Sequence, residues 1–299
     1  MCGIVGLFLK DAALEPRLGA MFTPMLVEMG ERGPDSAGVA IYRNPAPPGA
    51  VKLTLHHPDP AFAWDDLART LGAHLDAQVG VTALATHAVL VAPATADAAV
   101  AWVRAQVPAV RITSVGTTIE IYKEMGRPEA VAEQFQLARL AGSHAIGHTR
   151  MATESAVTTE HSHPFSTGLD LCLVHNGSLS NHNRWRLTLQ RHGVSFATDN
   201  DTEVAAGYLT HRLRAGDTLE QALNAGLKDL DGFYTFAVGT RSGFAVVRDP
   251  IACKHAVLAE TAQWVAMATE YRSIARLPGA ERARIWEPAP ATIYAWSRN

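Results

Sequence analysis

Apolar residues along this chain fall into two kinds of pattern, short β-branched runs and longer stripes at helical spacing. CGIVGLFL is apolar throughout and predicts a buried strand. From about Arg17 to Met29, Leu18, Phe22, Met25 and Met29 recur near one helical face, and Gly30 stands where a helix C-cap is expected. ERGPDSAGVAIY then reads as a polar Gly/Pro turn running into a second strand.

The stretch from about 45 to 142 has a different texture. NPAPPGA is a linker-like entry, VKLTLHH a predicted strand, Ala61 to Leu75 a helix and VTALATHAVLVA a strand. TADAAVAWVRAQV predicts a helix capped by Thr95, with Val100, Val103 and Val107 on one face, and VRITSVGTTIEIY predicts one or two further strands. A helix opening at Pro128 aligns Val131, Phe135 and Ala138 and ends at Gly142. This alternation predicts an α+β lobe inserted at about 45–142 into one principal domain spanning 2–299.

Beyond Ala145 strands and tight turns dominate: AIGHTRMATES, LDLCLVHNGSLS, FYTFAVGT, FAVVRDP, HAVLAE and WVAMATE. Two helices are predicted among them, around Asn183 to His192 and Thr202 to Arg214.

Composition narrows the function classes. A net charge of −3 leaves no electrostatic footprint for nucleic acid or an anionic membrane, and no apolar run approaches the length of a span. The first residues lack the basic and long apolar regions of an export signal. The three cysteines, Cys2, Cys172 and Cys253, are too few and too scattered for a disulfide framework, so a cytoplasmic location is expected. His161 and His163 have the spacing of two imidazoles on one strand face, but nothing nearby completes a ligand set, and no metal site is expected.

Cys2 changes the picture. Once Met1 is removed, its α-amine sits beside its thiol, and free α-amines ordinarily titrate at about 8, without the large shift a lysine would need to act as a base at neutral pH. That amine can take the thiol proton and return it to a leaving group, so one residue supplies nucleophile and base. The polar islands ERGPDSAG, GHTRMATES, HNGSLSNH and DNDTE offer the remaining parts. Asn176 and Gly177 can donate an amide and a backbone N–H to one oxyanion. Arg150 has the planar fork for a carboxylate, and Asp201 the charge for an ammonium. Taken singly, HNG also suits a hairpin turn, Arg150 a surface ion pair, and Asp201 a helix cap.

Cys2-Gly-Ile, RGPDSAG, GHTRMAT, HPF followed by VHNGS, and NDTE, in that order, resemble the glutaminase domain of class II glutamine amidotransferases. The resemblance implies the N-terminal-nucleophile hydrolase fold, an α+β four-layer αββα sandwich. It also implies hydrolysis of L-glutamine to glutamate and ammonia through a Cys2 thioester. Carried over by motif, Arg150 would hold the substrate α-carboxylate and Asp201 its α-ammonium, while Asn176 and Gly177 would form the oxyanion hole. Arg32 would shape the pocket, with Thr153 and His175 in supporting roles. Met151 departs from the aromatic residue that relatives often carry there.

Domains of this kind usually serve a synthase that consumes the ammonia. The chain carries no P-loop or GxGxxG, and its three cysteines cannot furnish a four-cysteine cluster, so no cofactor is expected in it. VRITSVGTTIEIYKEMG and ARIWEPAPATIYAW are similar to the separate amidotransferase subunit of glutamate-synthase-like enzymes such as N-methylglutamate synthase. That similarity implies partner synthase subunits in a hetero-oligomeric complex, with FMN and iron–sulfur clusters belonging to them and the lobe as a docking surface. The alternatives are a stand-alone hydrolase of another γ-glutamyl amide and a catalytically idle assembly subunit.

Overall fold

The computed structural model of the chain describes residues 2–152 and 156–298. Alternation along the first strand, Gly3–Leu9, sets the layering. Val5, Leu7 and Leu9 join a core beneath helices Leu18–Val27 and Pro128–Gln134. Ile4 and Phe8 face the other way into a second core, and Gly6 between them lies beneath the Phe244 ring, 3.3 Å from where a Cβ would stand. A strand with both faces covered needs no polar alternation, which accounts for the unbroken apolar run.

Gly3–Leu9 sits in a seven-stranded antiparallel sheet, ordered Arg284–Trp286, Val257–Glu260, Trp264–Ala268, Gly3–Leu9, His144–Arg150, Ser36–Tyr42, Ile119–Met125. Facing it is a five-stranded antiparallel sheet, ordered Thr292–Ser297, Gly243–Arg248, Gly232–Thr240, Leu171–Leu179, Phe165–Gly168. Ile4, Phe8, Ile146, Val174, Phe244 and Met267, all at most 2% exposed, fill the space between the two. Helices His182–Arg191, Asp201–Arg214 and Leu219–Asp229 cover the outer face of the second sheet through Val204, Tyr208 and Leu223. This is the expected four-layer αββα sandwich. Among the described residues no helix is long and apolar enough to cross a membrane.

The inserted lobe is shorter than the expected 45–142. Residues 51–116 form a third, four-stranded antiparallel sheet, ordered Gly80–Leu84, His87–Ala92, Val51–His56, Arg111–Gly116, with helices Trp64–Leu75 and Ala96–Gln106 packed on it through Leu67, Leu71, Ala99 and Val103. VTALATHAVLVA is therefore a hairpin and not a single strand, turning at Ala85 with φ +53°. Ile119–Met125 leaves the lobe and pairs with Ser36–Tyr42 from Tyr42↔Ile119 to Ser36↔Met125. The lobe is thus the loop of a hairpin, its stem closed by Arg43 N–H to Thr118 O (3.0 Å) and Ala46 N–H to Thr117 O (2.7 Å).

Asp170 fixes the change of sheet between Gly116 and Ile119. Its carboxylate accepts from the backbone N–H groups of Thr117, Thr118 and Ile119 at 2.7–3.0 Å. Burial works against that charge, but these bonds outweigh it and hold the carboxyl below its ordinary value.

The lobe meets the first sheet across a polar seam. Lys52 and Glu120, only 2% and 5% exposed, pair at 2.9 Å, and the Lys52 ammonium also donates to Arg43 O. Tyr122 donates its hydroxyl to Glu120 at 2.9 Å, and Ser114 donates to the Thr54 hydroxyl oxygen at 2.9 Å.

Candidate functional site

Strand parity gathers the predicted residues. Cys2 has the parity of Ile4, and His148 and Arg150 that of Ile146, so all three project into the space between the sheets. On the facing strand Asn176 shares the parity of Val174, while His175 turns to the helical side against Phe236. Gly3 pairs with Thr149, which brings the end of GHTR beside Cys2.

Cys2 is partly buried, its thiol 4.0 Å from the Met151 carbonyl oxygen. Two predicted residues hold its backbone: Asn176 Nδ2 donates to Cys2 O at 3.3 Å and Arg32 Nε at 3.2 Å. Arg32 is further tied to Glu270, which accepts from Arg272 Nε at 2.7 Å. Its observed place is thus at the backbone of Cys2, anchored from the far side by an acid. The Asn176 amide keeps a second N–H beyond the one on Cys2 O.

The RGPDS turn packs on the end of GHTR. A Cβ on Gly33 would lie 2.4 Å from Thr149 C, so only glycine admits this approach. Asp35 accepts from Ala152 N–H at 2.8 Å, and its own N–H donates to Arg150 O at 3.1 Å. Arg150 is 4% exposed, so it does not lie on the surface, and its Nη1 donates to Ala156 O at 3.0 Å. Gly177 adopts φ +147°, and a Cβ there would fall 1.9 Å from Phe233 O. HNG is therefore a distorted strand interior and not a hairpin turn.

Asp201 opens helix Asp201–Arg214 but does not cap it. Asn200 does, accepting from Thr202 N–H at 2.8 Å. That leaves Asp201 to accept from Leu179 N–H at 2.9 Å and to lie 3.5 Å from His175 Nδ1. Burial raises its pKa, but His175 and the Leu179 N–H prevail and hold it at about 2. Thr153 lies outside the described residues.

Sequence reading missed a buried cluster behind these groups. Thr202 Oγ1 lies 2.7 Å from His163 Nε2 and 3.1 Å from His175 Nδ1. His148 donates from Nε2 to His175 O at 3.1 Å and stacks on His163 with centroids 4.0 Å apart. One node thus ties the strand of Arg150, the strand of Asn176 and the helix of Asp201. Burial lowers the pKa of His148 to about 3 and that of His163 well below its ordinary value, so both imidazoles are neutral. His163 sits in the quoted HPF motif and Thr202 in NDTE, the one available signal. His161 goes elsewhere, to Asp199 at 3.0 Å, so the two do not form the ligand pair their spacing allowed.

The other cysteines differ in kind. Cys172 is fully buried, and burial pushes its thiol up to about 11, which leaves little thiolate at neutral pH. Cys253 is exposed.

A family model described as a glutamine amidotransferase domain matches residues 148–276. The whole chain is 57% identical to the glutamine amidotransferase-like protein GlxB of Rhizobium meliloti (strain 1021), over 100% of this chain and 99% of that protein. A shorter match, 35% identical, links 38% of this chain to 18% of the isomerizing glutamine–fructose-6-phosphate aminotransferase of Shewanella oneidensis. Among solved structures, the glutamine phosphoribosylpyrophosphate amidotransferase from B. subtilis aligns with a TM-score of 0.63 at 18% identity, over 99% of this chain and 47% of that one. At that identity the likeness is one of fold. Whole-length identity to a relative, the domain match and the sandwich agree: the chain is an enzyme of the class II glutamine amidotransferase family.

Proposed function

We propose that the chain is a glutaminase subunit that converts L-glutamine to glutamate and passes the ammonia to a partner synthase. The observation that carries this reading is the convergence of Cys2, Arg150 and Asn176 at one end of the inter-sheet space, with Asn176 bonded to Cys2 itself. Arg150 receives the substrate α-carboxylate and Asp201 its α-ammonium. The Cys2 thiol gives its proton to the α-amine freed by removal of Met1, and sulfur attacks the γ-carbonyl carbon. Charge develops on the carbonyl oxygen, where the second Asn176 N–H and the Gly177 N–H donate. The C–N bond then breaks, the nitrogen takes the proton from the α-amine, and ammonia leaves a γ-glutamyl thioester. Water adds to that thioester and releases glutamate and the thiol.

Ammonia freed into water at neutral pH is mostly protonated and no longer nucleophilic, which favours delivery within a complex. The resemblance to the amidotransferase subunit of glutamate-synthase-like enzymes supports a partner of that type, N-methylglutamate synthase among them. FMN and iron–sulfur clusters then belong to the partner.

Incubation with the glutamine-derived electrophile 6-diazo-5-oxo-norleucine, followed by peptide mapping, tests the mechanism. Cys2 is expected to be labelled once Met1 is removed. Asn176→Ala is expected to lower kcat for glutamine hydrolysis by about 10²–10³-fold. Labelling at Cys172 or Cys253, or full turnover by Cys2→Ala, would overturn the reading.

A further inference from the structure

A cleft of about 770 Å³ separates the inserted lobe from the second sheet and its helices, and no residue placed in the glutaminase site lines it. Helix Ala96–Gln106 forms one wall. Ala99 and Val103 of that helix are fully buried in the lobe core, so Asp97, Val100 and Arg104, three and four residues apart, share the face that lines the cleft. Phe165 and Phe196 supply apolar surface from the opposite side, and Arg214, in the last turn of its helix, adds a second guanidinium.

The charges around the cleft are unevenly satisfied. Glu203 accepts from Ala197 N–H, Thr198 N–H and the Thr198 hydroxyl at 2.7–2.8 Å, and Glu160 is paired with Arg111 at 2.7 Å. The Lys123 ammonium points its donors at the carbonyls of Glu160, Ser162 and Pro164. Among the described residues, the Arg104 and Arg214 side chains have neither an ion pair nor a hydrogen bond. Asp97 is also unpaired, but it sits in the first turn of its helix, where the backbone favours an anion.

His56 supplies a separate observation. It lines the cleft, is 6% exposed, and its ring makes no hydrogen bond among the described residues. Burial lowers its pKa, so the neutral ring offers one donor and one acceptor. Its ring nitrogens are not among the sealed, unpaired polar atoms of the core, so they are open to a molecule bound in the cleft.

We infer that this cleft is a second ligand site, for a small organic anion that carries its carboxylate, phosphate or sulfonate on an apolar or aromatic body. The volume lies within the roughly 300–1,000 Å³ of small-molecule pockets, and the lining mixes apolar and polar surface, as a ligand with a charged head and an apolar body requires. The anion bridges Arg104 and Arg214, and the body rests on Val100, Phe165 and Phe196. The inference is independent of the glutaminase reading.

Two fluorescent probes test it on the full chain: 8-anilinonaphthalene-1-sulfonate, and N-phenyl-1-naphthylamine, which has the same rings without the sulfonate. One saturable site is expected for the sulfonate, with the neutral probe weaker by about tenfold or more, as expected when one charged contact is lost. Arg104→Glu with Arg214→Glu should weaken the sulfonate by a similar factor and leave the neutral probe unmoved. Val100→Trp, which fills the cleft, should abolish both, with the thermal midpoint of each variant confirming the fold. Equal affinity for the two probes, sulfonate binding unchanged in the Arg104/Arg214 variant, or no saturable binding would overturn the inference.

Discussion

Two buried polar junctions hold this molecule together, and they are built on opposite principles. The seam between lobe and first sheet uses full charge, with Lys52 and Glu120 neutralising each other at 2.9 Å and a tyrosine hydroxyl completing the acid. The node behind the candidate site is built on two neutral imidazoles, His148 and His163, with one threonine hydroxyl joining His163 to His175, and among the described residues His148 Nδ1, His163 Nδ1 and His175 Nε2 have no partner. A buried ion pair fixes geometry but is costly to break, because removing one member strands the other. Rings joined by single hydrogen bonds tie several elements without needing a buried counter-charge, and they leave polar capacity unspent.

The largest effect should come from the seam. Lys52→Ala is expected to cost about 3 kcal/mol in denaturant unfolding, the low end for breaking a buried pair, since Glu120 keeps only the Tyr122 hydroxyl and the more distant Arg43 guanidinium at 3.7 Å. Lys52→Met combined with Glu120→Leu should recover most of that loss. A single substitution costing under about 1 kcal/mol would show the pair to be solvated and would erase the contrast.

The node answers to acid. The folded pKa of His148 is lowered to about 3, so its stabilisation is complete above the unfolded value of about 6.5 and drains away as pH falls toward the folded value. Between pH 6.5 and 4.5 this one ring should withdraw about 2–3 kcal/mol, at roughly 1.4 kcal/mol per pH unit. His148→Gln, which keeps a donor for His175 O, should lessen the acid slope by about that amount. An identical slope would mean that the ring takes up its proton in place. Smaller again, Thr202→Val should cost about 1–2 kcal/mol by leaving an imidazole unpaired, with Thr202→Ser close to the parent. A valine variant as stable as the parent would remove the hydroxyl from the node.

Much of the fold is legible in the sequence because strands covered on both faces, such as Gly3–Leu9, announce themselves by composition alone. Helix Leu219–Asp229 escapes notice because Ala222 and Gly226 dilute its buried stripe, although Thr218 and Gln221 form a capping box. The turn at Ala85 carries no glycine, asparagine or proline, so the hairpin there reads as one strand. Ile119–Met125 is misplaced in the lobe for a long-range reason, since the carboxylate that ends the preceding strand belongs to Asp170. At the site, the motifs supply Cys2, Arg150, Asn176, Gly177 and Asp201, and strand parity then brings three of them together. What no motif shows is which partners are already taken: Asn176 and Arg32 are both engaged with Cys2 O, and Asn200 relieves Asp201 of the cap.

The closed stem of the lobe has an evolutionary consequence. Tyr42 faces Ile119 in the last rung of the hairpin, and Arg43 and Ala46 bond to Thr118 and Thr117 just beyond it. The chain therefore leaves and re-enters the sandwich at nearly the same point, and lengthening such a loop adds only slowly to its closure entropy. The position suits a cassette: a segment of different length could be closed by the same stem, beside Ser36–Tyr42, the strand that flanks the one ending in Arg150, provided that it again supplies Glu120 with a cation in place of Lys52.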